Sequence, residues 1–319
     1  MPEAAAATEP AGRESFGSRL GRAMADRGPL CVGIDPHPAL LQRWGLADDA
    51  AGLERFSLTV LEAVGPLAAA VKPQVALYER HGSAGMAVLE RTLTAAAAAS
   101  VLSIADAKRG DIGSTMAAYA DAWLRDGSAL AADSVTLSPY LGFESLRPAL
   151  DLAAQSGRGV FVLALTSNPE GASVQHAGGA DSVARRIVQA AAVENRRYSG
   201  GPGKTESRTE DLGTGEFGTG ERGTGEPATV GLGSVGLVVG ATVGSALADL
   251  GLDLAAVRGP ILAPGLGAQG ATAADLRRTF GSAYAQVLGT SSRDILGAGP
   301  RIQDLRDAAR RTLDELRAA

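Results

Sequence analysis

An α/β barrel of eight parallel strands alternating with helices is the fold the sequence predicts, on three observations. Short aliphatic and β-branched runs recur eight times along the chain. Longer Ala/Leu/Arg segments with helical spacing lie between them, as expected when helices cross back over a parallel sheet. Finally, once two segments of biased composition are set aside, on the order of 280 residues remain, the size of one (β/α)8 TIM barrel.

In chain order, residues 1–12 form an Ala/Glu/Pro-rich leader without periodicity, read as disordered. The strand runs are Leu30 to Asp35 (LCVGID), Ala69 to Val75 (AAVKPQV), Val101 to Lys108 (VLSIADAK) and Ser134 to Ser138 (SVTLS). They continue with Gly159 to Thr166 (GVFVLALT), Val235 to Gly240 (VGLVVG), Pro260 to Pro264 (PILAP) and Ala283 to Gly289 (AYAQVLG). Helices over Gly85 to Ser100, Thr115 to Leu130 and Asp181 to Arg197 are long enough to cross the sheet, which makes the connections right-handed. Between the fifth and sixth runs, GTGEF, GTGER and GTGEP follow one another from Gly213 to Pro227. This stretch is too rich in Gly and too poor in apolar residues to offset its ordering entropy, so residues 199–229 read as a flexible low-complexity insertion. The expected organisation is therefore a leader and one barrel domain, 13–319, interrupted at about 199–229.

Composition narrows the function. With 30 basic against 35 acidic residues and 4% aromatics, the chain has neither the positive excess nor the stacking surface of a nucleic-acid binder. The longest mostly apolar stretch, Thr94 to Ala105, is shorter than the roughly 18 to 20 residues a membrane span requires. A lone cysteine, Cys31, excludes an intramolecular disulfide framework; placed inside an apolar strand it reads as core, and the cytoplasm is the expected compartment. Only three of the basic residues are lysines, Lys72, Lys108 and Lys204. In a chain whose surface charge is otherwise arginine, an ammonium with a transferable proton draws attention, and Lys204 falls in the insertion.

At the carboxyl ends of the first three strands stand Asp35, Lys72 and the block Asp106 to Asp111. Residues two apart on a strand face the same side, so Asp106 and Lys108 both point into the barrel mouth, with Asp111 in the following turn. A purely structural ion-pair ring is the alternative, although desolvation leaves such rings with little net stability. Mixed charges at the functional face fit better as a preorganised field around a reacting group. The other half of the mouth differs. The glycines Gly265, Gly267 and Gly270 follow the seventh strand, and Arg293 follows the eighth. Backbone N–H groups freed by glycine, together with a guanidinium fork, suit a phosphate, and barrels commonly bind phosphate after strands seven and eight.

These residues resemble the orotidine 5′-phosphate decarboxylase family, over a span from about Leu30 to the final helix. The strongest carrier is Asp106-Ala107-Lys108-Arg109-Gly110-Asp111-Ile112-Gly113-Ser114-Thr115, similar to the family's D-x-K-x-x-D-I-x-x-T signature. Gly33-Ile34-Asp35, Val71-Lys72-Pro73, Leu165-Thr166-Ser167, Val238 to Thr242 and Ala263-Pro264-Gly265 with Gln269-Gly270 match in order. The wording around Asp35 to Pro38, Ser138 to Tyr140, Ser167 to Gly171 and Ser291 to Arg293 is most similar to the longer bacterial, type 2-like subgroup. The repeat at 199–229 departs from the pattern.

The resemblance implies decarboxylation of orotidine 5′-monophosphate to uridine 5′-monophosphate, the last step of UMP synthesis, without metal or other cofactor. It implies catalytic roles for Lys108, Asp106, Lys72 and Asp111, with Lys108 held protonated by Asp106 and Asp111 and donating the proton that completes the product. Asp35 and Lys72 would meet the ribose, Ser167 the pyrimidine, and Gln175, Gly267, Gln269, Gly270 and Arg293 the phosphate. The loop Ser167 to Gln175 would be a lid. Asp111 and Thr115 would reach the neighbouring subunit's site in a homodimer. The histidines His37, His81 and His176 lack metal-ligand spacing. A magnesium-dependent sugar-phosphate decarboxylase or aldolase of the same barrel suprafamily is the nearest alternative. It needs further carboxylates at the mouth, whereas strands four to six end in Ser138, Thr166 and Gly240. A noncatalytic nucleotide-binding barrel would have little use for alternating lysines and aspartates. Deleting residues 199–229 is expected to leave decarboxylase activity within a few-fold; a collapse of activity at unchanged solubility would show that the insertion contributes to the site or to a dimer.

Overall fold

A computed structural model describes residues 13–198, 231–267 and 270–319. The leader, the GTGE repeats and Gln269 lie outside the described residues. Eight strands pair in sequence order, all parallel, and the first closes onto the last through Leu30, Cys31 and Val32 opposite Gly289, Thr290 and Ser291. They are β1 (Leu30–Ile34), β2 (Ala70–Pro73), β3 (Leu102–Arg109), β4 (Ser134–Leu137), β5 (Gly159–Leu165), β6 (Val235–Val239), β7 (Ile261–Pro264) and β8 (Val287–Ser291). The predicted (β/α)8 TIM barrel is the observed fold.

Helix α1 (Phe16–Arg27) precedes the barrel, and α2 (Ala50–Val64), α3 (Gly82–Ala98), α4 (Gly113–Leu124), α5 (Arg147–Gln155), α6 (Val183–Tyr198), α7 (Ala273–Phe280) and α8 (Ile302–Ala318) surround it. Two boundaries differ from expectation. The helix expected to run to Leu130 ends at Leu124, because Gly127 takes a left-handed φ of 82° and turns the chain back toward β4. The last strand starts at Val287 rather than Ala283: residues Gly281–Gln286 form a 3₁₀ turn, in which the Tyr284 hydroxyl donates to the Leu316 carbonyl and its ring lies under Arg277.

Strand alternation divides the core in two. Leu30, Val32, Ile34, Val71 and Ala105 face outward and pack under the helices. Cys31, Ala70, Ile104, Phe161, Val238, Leu262 and Leu288 face inward and fill the barrel. Continuing two residues further along the inward line of β2 and β3 gives Lys72 and then Asp106, so the same periodicity that builds the apolar interior delivers charge to its upper end.

The lower end is plugged by α1. Ser15 caps this helix, its hydroxyl accepting from the Ser18 N–H. Phe16 and Leu20 are fully buried, and the Phe16 ring meets Phe161 edge-on at 5.9 Å. Gly159 permits this approach, since a Cβ there would overlap the Phe16 ring. Phe16→Ala is expected to lower the unfolding free energy by about 3–5 kcal/mol, as large buried aromatics do when truncated. Urea unfolding read alongside kcat checks this: stability should fall while kcat of the folded enzyme stays within about twofold.

Candidate active site

At the mouth, two adjacent strands bring one carboxylate between two ammonium groups. Lys72 on β2 donates to Asp106 Oδ2 at 2.8 Å, and Lys108 on β3 donates to Oδ1 at 2.6 Å. A third donor is the Thr136 hydroxyl of β4, 3.0 Å from Oδ1. The Gln74 amide, oriented with its nitrogen inward, donates to the Asp106 carbonyl oxygen at 2.9 Å and to Oδ2 at 3.2 Å. Asp106 is 8% exposed and Lys72 6%, whereas the Lys108 side chain is 45% exposed. The pair Lys72–Asp106 is therefore the buried base of the arrangement, and Lys108 its solvent-facing arm.

Burial by itself pushes the Asp106 carboxyl up, but the two ammonium groups outweigh it and hold the group well below the usual carboxylate range. For Lys72, burial opposes the charge, and the opposing pull of Asp106 and Asp35 raises the ammonium above its ordinary value. Cys31, one layer below, is pushed up to about 12 by burial and stays a thiol, in keeping with a core role.

These groups line a cavity of about 220 Å³. Asp35 and Gln74 complete the polar side, Leu163, Val238 and Leu262 form an apolar wall, and Pro264, Gly265, Thr290, Ser292 and Arg293 also line the cavity. Asp35 Oδ1 and Ser292 Oγ are buried without a hydrogen-bond partner, which is how a site prepared for a ligand's polar groups presents itself. A larger cleft, about 490 Å³, opens at the amino ends of β3 to β5 among Arg13, Arg19, Arg22, Arg27 and Arg158. Its guanidinium groups are already bonded to Asp126, Asp133, Glu14 and backbone carbonyls, and no lysine lines it. The lysine–carboxylate chain lines the smaller cavity.

The remaining predicted residues distribute as follows. Arg293 lines the cavity from the first position of the short helix Arg293–Leu296. Gly267 and Gly270 have φ of 77° and 95°, and the Gly270 N–H donates to the Gly267 carbonyl at 2.6 Å, tightening the loop after β7. A side chain at Gly267 would overlap the Asp294 carboxylate. Ser167 is exposed at the end of β5 and packs across from Gly240. Gln175 is turned toward the barrel rim: its Oε1 accepts from Thr166 N–H at 2.9 Å and its Nε2 donates to Thr166 Oγ1 at 2.7 Å. The loop between them holds the 3₁₀ turn Pro169–Gly171 and the helical turn Ala172–Gln175. Asp111 accepts from the Ile112 N–H at 2.8 Å, does not line this cavity and makes no bond to Lys108; Thr115 is exposed on α4. Thr136 and Gln74 were not among the predicted residues. The alternation that picked out Asp106 and Lys108 also turns Thr136 inward on β4, but a threonine in a strand carries no chemical signal of its own.

Comparison with known proteins decides the family. A family profile described as "Orotidine 5′-phosphate decarboxylase / HUMPS family" matches residues 28–308. The chain belongs to this family. Among its relatives, the orotidine 5′-phosphate decarboxylase of Salinispora arenicola (strain CNS-205) is 55% identical over 306 residues, covering 96% of this chain and 98% of the relative. That of Streptomyces coelicolor is 52% identical over 309 residues, covering 96% and 98%. A solved Streptomyces avermitilis structure superposes with a TM-score of 0.82 at 53% identity, covering 97% of each chain. The Leishmania donovani OMP decarboxylase superposes with a TM-score of 0.69 at 28% identity, covering 95% of this chain and 98% of that one.

Because the Asp106 carboxyl is depressed in the fold, its contribution to stability is present above the unfolded-state pKa, about 3.9, and is lost as pH falls through the folded-state value. Asp106→Asn is expected to flatten the acid limb of a stability-against-pH curve below about pH 4. At neutral pH it should cost about 3–5 kcal/mol, because Lys72 is left buried without its main counter-charge. Urea titrations at several pH values check both effects.

Proposed function

We propose that this enzyme converts orotidine 5′-monophosphate to uridine 5′-monophosphate and CO₂, the closing step of UMP synthesis, with Lys108, Asp106 and Lys72 as its working groups. The observation that carries the reading is the Lys72–Asp106–Lys108 chain, with its one exposed ammonium projecting into the cavity. Breaking the C6–carboxylate bond leaves its electron pair at C6 in the plane of the ring, where no adjacent group delocalises it. Fixed positive charge at that position is then the available stabilisation. Lys108 supplies it and passes an Nζ proton to C6, regaining one from water. An arginine cannot act as this donor at neutral pH. Asp106 lies where the substrate carboxylate must approach; at about 4 Å and an effective dielectric near 20 the repulsion is roughly 4 kcal/mol, relieved as neutral CO₂ forms.

Asp35, with a free buried oxygen, takes a ribose hydroxyl together with Lys72. Arg293 and the Gly267 to Gly270 loop take the phosphate, whose binding orients a substrate with little reactivity of its own. Ser167 meets the pyrimidine edge. Gln175 reaches the phosphate by exchanging its bonds to Thr166 as the Ser167 to Gln175 loop closes. Asp111 and Thr115 act in the site of a second copy, which makes the working form a homodimer. Their position outside this chain's own cavity supports that role, as do the exposed Ile112 next to Asp111 and the exposed Tyr140 and Leu141 in the loop after β4. The domain runs from 13 to 319 around the insertion. The enzyme works in the cytoplasm, in keeping with its one buried, free thiol; among the described residues no helix is long and apolar enough to cross a membrane.

The magnesium-dependent alternative is disfavoured by the donor set. Among the described residues no three His, Cys, Asp or Glu side chains are grouped to hold a cation, and both Asp106 oxygens are taken by lysines. The test is the ultraviolet absorbance change of orotidine 5′-monophosphate with purified enzyme in excess chelator, beside Lys108→Ala. Conversion that survives chelation and disappears in the variant is the expected result. An untouched substrate with folded wild-type protein would sink the reading and direct attention to magnesium and sugar phosphates.

A further inference from the structure

Thr136 lies inside the barrel on β4, 1% exposed, and bonds to both β3 residues that matter most. Its hydroxyl donates to Asp106 Oδ1 at 3.0 Å and accepts from the Lys108 backbone N–H at 2.9 Å. An amide can only donate and a carboxylate can only accept, so the single hydroxyl proton has one possible direction. Lys108 also bonds to Asp106 through its own Nζ, which closes a ring: Lys108 N–H to Thr136, Thr136 to Asp106, Asp106 to Lys108 Nζ.

The backbone at Lys108 needs such a partner. Its φ is +49°, in the left-handed region that side chains other than glycine rarely adopt. The register of β3 against β4 shifts between Ala105 and Arg109, so this residue leaves the regular ladder. Strain of this kind persists only where surrounding bonds enforce it, and it concentrates at working sites. A threonine side chain, rather than the neighbouring strand's backbone, accepts the Lys108 amide and enforces it here.

We propose that Thr136 is a positioning residue for the decarboxylation: one hydroxyl sets both the orientation of the Asp106 carboxylate and the left-handed backbone of Lys108, and thereby aims Nζ at the reacting carbon. The inference rests on the reaction assigned above. Valine has nearly the same shape as threonine, so a position that served only to fill the core would accept it.

The experiment compares wild type with Thr136→Ser, Thr136→Val and Thr136→Ala by steady-state turnover of orotidine 5′-monophosphate and by hydrogen exchange at the Lys108 amide. Loss of aim without loss of binding should lower kcat by about 10- to 100-fold in the Val and Ala variants, with KM within about threefold. Serine should stay within about threefold in both. Lys108 amide exchange should quicken at least about tenfold in Val and Ala and remain slow in Ser. A kcat near wild type in Ala or Val, or a serine variant as impaired as valine, overturns the proposal. If the valine variant does not fold, the Ala and Ser pair decides by the same criteria. Absence of turnover in wild type overturns the assigned reaction instead. In that case the exchange data judge the clamp alone, and unchanged protection at Lys108 in the Ala variant rejects it.

Discussion

Placing a carboxylate at the upper layer of an apolar barrel is costly unless its charge is compensated, and the mouth of this barrel is organised around that constraint. Asp106 follows Ile104 along the inward line of β3, next to an interior that also holds Phe161, Val238 and Leu262, where an isolated anion would protonate rather than persist. Lys72 compensates from a neighbouring strand, and its own buried charge is supported against desolvation by Asp106 and by Asp35. Each charge of the buried pair supports the other. Lys108 then adds a second ammonium whose head remains accessible, so the buried pair serves as a base for an exposed cation. Removing either buried partner would alter the protonation and direction of everything above it.

The barrel supplies the rigidity this needs. Strand-to-strand pairing holds Lys72, Asp106 and Thr136 on three consecutive strands, where the Lys72 and Thr136 side chains both reach the Asp106 carboxylate. Arg109, immediately after Lys108, is held outside the barrel against Glu79 and between the rings of Tyr119 and Trp123 at 5.7 and 5.8 Å. The chain on either side of Lys108 is thus anchored, inward by Asp106 and outward by Arg109, and the residue between them takes up the unusual backbone. The other side of the cavity is built differently, from glycine turns after β7 and a one-turn helix after β8 that opens with Arg293.

Much of this was legible in the sequence because it is carried by periodicity and by scarce residue types. Eight apolar runs announced the strands, and the two-residue spacing of Asp106 and Lys108 placed both on one face. Lys72 stood out against a background of arginine. What the sequence did not disclose depends on relations between strands. Thr136 becomes informative only once β3 and β4 are in register, since nothing in SVTLS distinguishes it from a threonine in any strand. The left-handed backbone at Lys108 has no sequence mark, because lysine is not a residue that favours it. Gln175 was legible as part of a polar loop, but its bonds to Thr166 depend on how that loop folds back. The start of β8 was misjudged for a related reason: Tyr284 and Ala285 look strand-like in isolation, and a tertiary bond to Leu316 turns them into a 3₁₀ segment.

The aromatic plug formed by Phe16 has a further consequence for traffic. With α1 sealing the lower end and side chains filling the interior, the described residues leave the cavity open at the upper rim. A molecule that occupies the cavity enters and leaves by that rim. A proton passing between the exposed Lys108 ammonium and solvent crosses the same rim, so whatever covers the rim governs ligand exchange and access to that ammonium together.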